Sequence, residues 1–302
     1  MLSRFQVSGN WRARAALPGA GIPIVFRLQM RRRCAWRDLI WMGVLLLCHQ
    51  ALALGLQSLI TPLQEYSADS PRFLLRWLAM AAIAGPMLYL PCAAMLGAMA
   101  VPPVSRFEET QSMLLTRLTP FDLCAGRLIA WLWPVISGLL ASCALSLAVQ
   151  LIWQPLLPGS AAGYGAILMM HLVLISSAAA IGSIGFLLGM RHRPGRVWAR
   201  GAGVALMAAI LAVGGLFLVN PLVRRMDNPT ALIDSMLLVN PATAATTALQ
   251  MDVLRLPWLY ERTDAPEYPF AYPPPAASCA LFACCAGVAL TLASVRHRRA
   301  YR

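Results

Sequence analysis

Two histidines lie inside long apolar runs, His49 in LIWMGVLLLCHQALALGLQSLI and His171 in the run over 164–190. An ionisable side chain at membrane depth is costly and marks a candidate site by default, for example on a substrate or proton path. Neither run contains Asp or Glu. Two histidines without carboxylates make a poor metal site or proton relay, and a neutral imidazole is cheap to bury. The residues therefore point first to packing and hydrogen bonding, with a place for His49 and His171 on a substrate path as the alternative. Ser176-Ser177 raises the question of a buried nucleophile, but no GxSxG turn and no placed base accompany it. Serines in such helices ordinarily bond back to the backbone. The eight cysteines contain no CxxC pair and lie in or beside apolar segments. They read as small core residues, and no zinc site or disulfide framework is expected.

All 25 basic residues are arginine, and the chain has no lysine. The phosphate-binding loop of ATPases needs a lysine to reach the β and γ phosphates. The chain is therefore not itself a P-loop ATPase.

The elements that would position these residues follow from composition. The sequence is 59% hydrophobic and 12% charged, with a mean hydropathy of +0.64. Soluble domains carry about a quarter charged residues. The expectation is an all-α integral membrane protein. The net charge of +13 then reflects arginines that hold loops on one side of the membrane rather than a nucleic-acid surface.

About 20 apolar residues cross a bilayer, and six segments qualify: 39–60, 76–101, 122–153, 164–190, 200–220 and 276–295. Gly85-Pro86 and Pro91 predict a kink in the second, and Pro134 lies within the third. Arg72, Arg76, Arg224, Arg225, Arg255 and Arg262 flank one side; the larger remainder flanks the other. The richer side is the cytoplasmic one, which places both termini there.

Residues 1–38 hold no apolar run of signal-peptide length, so the N-terminus is expected to be retained. Residues 1–22 read as a flexible segment. Residues 23–38, PIVFRLQMRRRCAWRD, interleave apolar side chains with arginine and read as an interfacial helix. The outer segment 221–275 is too long for a plain connection. Its helical periodicity breaks at Asn240-Pro241, which predicts one or two short helices, followed by an extended YPFAYPPP.

Between spans two and three stands SRFEETQSMLLTRLTP, residues 105–120. Pro102-Pro103 stops the second span. Ser105 with Glu108 forms a capping-box pattern, and Thr119-Pro120-Phe121-Asp122 forms a second helix start. Phe107, Leu114, Leu115 and Leu118 share one face, while Glu108, Glu109, Ser112 and Thr116 share the other. An acidic amphipathic helix would be repelled by an anionic leaflet. It suits a protein partner at the cytoplasmic surface.

FEETQSMLLTRLTPFDLCAGRLIAWLWP resembles the membrane subunit (permease) of type-2 ATP-binding-cassette transporters. The likeness rests on Glu108, Glu109 and Thr110, Leu114-Leu115, Thr119-Pro120 and Gly126-Arg127, and on LVNPATAATTAL before the last span. It covers residues 23–300. Glu109 stands where the family often has glycine, and Arg127 where lysine is common. The resemblance implies a permease domain over 23–302 in which residues 105–120 are the coupling helix. The implied ATPase-docking residues are Phe107, Glu108, Glu109, Thr110, Leu114 and Arg117. It implies a separate P-loop ATPase subunit as partner, a second permease chain, identical or different, and alternating access. ATP and magnesium would be bound by the partner, with no cofactor on this chain. Surrounding lipid is the other partner, and nucleic acid is not one. An exporter in a bacterial inner membrane is the expected setting. Two readings of other classes stand beside it: a non-transporting membrane scaffold or assembly factor, and a membrane-embedded enzyme. The enzyme reading requires carboxylates, histidines or metal ligands converging at one depth, which the sequence does not supply.

Overall fold

A computed structural model of the chain describes residues 21–31, 35–60, 72–101, 118–153, 163–190, 201–208, 210, 230–250 and 273–300. The elements are helices: α1 Ile22–Arg31, α2 Ala35–Ile60, α3 Arg72–Met99, α4 Pro120–Trp153, α5 Tyr164–Gly189, α6 Thr230–Val239, α7 Pro241–Ala248 and α8 Pro275–Ala300. The described residues contain no strand.

Five of these helices are long and apolar enough to cross a membrane: Trp36–Leu59, Leu74–Met99, Pro120–Ile152, Tyr164–Gly189 and Pro275–His297. The chain is therefore an all-helical protein of multi-pass membrane character. Of the expected span over 200–220, residues 201–208 and 210 are helical, and the rest lies outside the described residues. Most of segment 1–22 and much of the outer segment 221–275 also lie outside them. Of the interfacial helix expected over 23–38, residues 32–34 lie outside the described residues. α1 covers Ile22–Arg31, and Trp36 to Asp38 already belong to the first turns of α2.

α5 is the centre of the bundle and packs against α3, α4, α7 and α8. Its crossing with α3 is close because both faces are small. A Cβ on Gly97 of α3 would strike the backbone of Gly182. One on Gly185 would strike the carbonyl of Ala94, and one on Gly189 would come within 2.9 Å of the Ala98 carbonyl oxygen. Gly182, Gly185 and Gly189 of α5 thus form an intra-bundle contact face. Apolar helices gain little from hydrophobic burial inside lipid, so van der Waals contact through small residues supplies the attraction. The outward faces of α2 and α4 carry Leu39, Ile40, Trp41, Leu47, Leu140, Leu151 and Ile152, all exposed. Such a surface suits lipid.

At one end of the bundle, α1 seats on the start of α4. Val25 is buried with Leu118 and Leu123, and the rings of Phe26 and Trp133 meet edge to face at 5.6 Å. At the other end, α6 and α7 are joined at Asn240. Its side-chain oxygen accepts from the backbone N–H of Ala242 (2.9 Å) and Thr243 (3.4 Å), and Pro241 opens the helix. The predicted break is therefore a capped restart. The Ser278 hydroxyl at the start of α8 donates to the Leu238 carbonyl at 3.0 Å. This bond places the α6–α7 pair where α8 begins.

Candidate functional site

The two intramembrane histidines meet in space through a serine. His49 on α2 hydrogen-bonds through Nε2 to the carbonyl oxygen of Ala81 on α3, at 2.9 Å. His171 on α5 hydrogen-bonds through Nδ1 to the carbonyl of Ile167, one turn earlier, at 2.9 Å. Carbonyls only accept, so these two nitrogens carry the hydrogens. The other ring nitrogens then face Ser142 on α4: Nδ1 of His49 lies 3.1 Å from Ser142 Oγ, and Nε2 of His171 lies 3.4 Å away. His49, Ser142 and His171 are all buried. The result is a three-helix polar node in an apolar interior, tied to a fourth helix by Ala81.

Local geometry explains the close approach. A Cβ on Gly85 would come within 2.9 Å of Leu174 and 3.7 Å of His49 Nε2. The Tyr89 ring meets His49 edge to face at 5.2 Å. Gly138 on α4 gives the Tyr89 hydroxyl room, and that hydroxyl is buried with no hydrogen-bond partner among the described residues.

The polar surface continues along α4. Ser142, Ser146 and Gln150 recur every four residues and are buried, so they line one slowly turning face. On α2 the matching steps from His49 are Ala53 and Gln57, both buried. Ser146 Oγ, both amide atoms of Gln150 and Oε1 of Gln57 have no hydrogen-bond partner among the described residues. Buried polar atoms without partners are rare in folded proteins and call for an explanation.

A second polar motif sits at the α1 end. The hydroxyl of Thr119 donates to Asp122 Oδ2 at 2.6 Å, and the backbone N–H of Thr119 donates to the same oxygen at 3.1 Å. The backbone N–H of Asp122 donates back to Thr119 Oγ1 at 3.1 Å. This is the reciprocal capping box expected from Thr119-Pro120-Phe121-Asp122. A Cβ on Gly126 would come within 2.7 Å of Val25 Cβ, so the glycine lets α1 lie directly on α4.

The sequence-derived site residues divide cleanly. His49 and His171 are brought together, and the expected serines bond to the backbone: Ser176 to Val173 at 3.0 Å and Ser177 to Leu174 at 2.9 Å. Phe107, Glu108, Glu109, Thr110, Leu114 and Arg117 lie outside the described residues. Sequence reasoning missed Ser142, Ser146, Gln150, Gln57 and Tyr89. The available signal was a polar residue every fourth position in an apolar run, which a hydropathy average conceals. Among the described residues no three His, Cys, Asp or Glu side chains are grouped as a metal site. No family model matches the chain, and no curated protein matches it significantly.

Proposed function

We propose that the chain is the membrane subunit of an ATP-driven transporter, of the kind the type-2 ATP-binding-cassette permeases represent, with the ATPase on a separate chain. The observation that carries this reading is the junction at the start of α4. The Thr119–Asp122 capping box opens α4 just after segment 105–117 in the sequence, and α1 is seated on the same turn through Val25, Leu118 and Leu123. A cytoplasmic helix docked on an ATPase would there act on a stiff corner of two helices. A push on that corner moves α4, and with it Ser142 and the node it shares with α2 and α5. Rigid-body rocking of the bundle then alternates access to the polar seam.

The charged side chains described on the central helices sit near helix ends, among them Asp38 on α2, Arg76 on α3 and Asp122 and Arg127 on α4. That distribution favours an uncharged or amphipathic substrate, which in this reading is moved outward across a bacterial inner membrane. A second permease copy or homologue completes the unit.

The test is a mild-detergent pull-down of the tagged chain, native and with Glu108→Arg and Glu109→Arg together, assayed for co-purifying ATPase. An ATPase retained by the native chain and lost with the double variant supports the reading. A stable complex without any ATPase refutes it and moves the scaffold reading ahead.

A further inference from the structure

The node is one hydrogen short. With the carbonyls of Ala81 and Ile167 fixing His49 Nε2 and His171 Nδ1 as the N–H nitrogens, two acceptor nitrogens face one hydroxyl. Ser142 has a single proton to donate. Its shorter distance is to His49, at 3.1 Å against 3.4 Å. Ser142 therefore satisfies His49, and His171 Nε2 is left as an acceptor in need of a donor.

The unmet groups follow from the node at steps of one helical turn on α4 and on α2. From Ser142, the buried face of α4 presents Ser146 one turn on and Gln150 two turns on, both with unpartnered polar atoms. Eight residues of helix rise about 12 Å. α2 lines the seam with Ala53, which takes little space, and then Gln57, whose amide oxygen is also unpartnered. Ile167 of α5 is buried one turn above His171. The seam thus offers an acceptor at its foot, a hydroxyl in the middle and amide donors and acceptors at the top, with an apolar wall.

We infer that the α2–α4–α5 seam, from His171 and Ser142 to Gln150 and Gln57, is a binding site for an uncharged molecule carrying hydroxyl or amide groups on an apolar body. The inference rests on the transport reading for its purpose, since the seam would then hold the transported molecule. The ligand is uncharged because none of the seam side chains is ionised in this hydrogen-bond arrangement and the described carboxylates of α2 and α4 are confined to their first turns. An isolated charge at that depth is strongly disfavoured. Its donor completes His171 Nε2, and its remaining polar atoms meet Ser146, Gln150 and Gln57. Each is a buried group for which an added partner recovers a hydrogen bond.

The experiment uses the full chain in lipid nanodiscs, with 15N-labelled histidine, titrated with 1-octanol. Octane and octylammonium serve as controls. Octanol is expected to shift the His171 Nε2 resonance saturably, with octane silent and octylammonium much weaker. Ser146→Ala, one turn from the node, is expected to weaken octanol about tenfold, and Gln150→Leu, beyond the reach of octanol's one hydroxyl, to leave its binding unchanged, with the His49 resonance unmoved as the sign of an intact fold. A shift that never saturates, or that is as strong in Ser146→Ala as in the native chain, overturns the site. So does a His171 ring already doubly protonated at neutral pH without probe, which makes the node a proton site instead. Tighter binding of octylammonium overturns the uncharged class. None of these outcomes depends on an ATPase, so failure here and failure of the pull-down are separable.

Discussion

The imidazole of His49 donates to the carbonyl oxygen of Ala81 across the α2–α3 interface, at 2.9 Å. The bond ties the first candidate span to the second and fixes the tautomer that turns Nδ1 toward Ser142. His49→Ala removes this bond and opens a cavity beside Tyr89 and Gly85. The expected loss is about 2–4 kcal/mol, mostly from the cavity. Ser142→Ala removes only the shared hydroxyl, and interhelical hydrogen bonds in membranes average about 0.6 kcal/mol. Unfolding of both variants in lipid should show the histidine change to be several times the more damaging. Equal effects would mean that the node, not packing, dominates.

The Thr119–Asp122 box closes the start of α4 with three hydrogen bonds. Thr119→Ala is expected to cost about 1 kcal/mol, the usual worth of an N-cap. Asp122→Ala should cost more, because Asp122 is fully buried and accepts twice. Thermal melts of the two variants check the order; in the transport reading both should also uncouple ATP hydrolysis from substrate movement.

Val25 is almost fully buried against α4. A Val25→Cys chain should resist a water-soluble maleimide. Adding Gly126→Leu, which forces a side chain into the space Val25 occupies, should raise the labelling rate at least severalfold. Unchanged protection in the double variant would show that α1 is held by something other than this contact.

The α3–α5 crossing tolerates no side chain at Gly97, where the obstacle is the backbone of Gly182. Gly97→Val is expected to destabilise by about 1–3 kcal/mol or more through overpacking. Gly43 on α2 meets nothing within 4 Å of an added Cβ, so Gly43→Ala should be neutral or slightly stabilising. Comparing the two in one unfolding assay separates packing from helix propensity.

Asn240 caps α7 through its side-chain oxygen. Asn240→Ala should cost about 1 kcal/mol, and Asn240→Asp much less, because a carboxylate oxygen accepts the same bonds. A melt in which the two variants fall together would place the role of Asn240 in packing rather than capping.

The membrane character, the long helices and the helix starts at Pro120 and Pro241 were legible in the sequence. Each depends on neighbours a few residues away: apolar runs fix spans, and Thr, Asn and Pro at set offsets fix caps. The serine back-bonds at Ser176 and Ser177 were legible for the same reason. Arginine spacing did not mark where the first span begins: Trp36 to Asp38 belong to the first turns of α2.

What tertiary structure alone decided was the meeting of His49, Ser142 and His171. These side chains come from three helices, and nothing local to any one of them specifies a partner. Their register is set by the close α3–α5 approach at Gly97, Gly182 and Gly185 and by the histidine bond to Ala81. Those contacts depend on how helices cross, which sequence periodicity does not encode. The packed bundle also buries Ser146, Gln150 and Gln57 with unmet hydrogen-bonding atoms. In one dimension they are three polar residues in apolar runs; in three each is buried with an unmet polar atom.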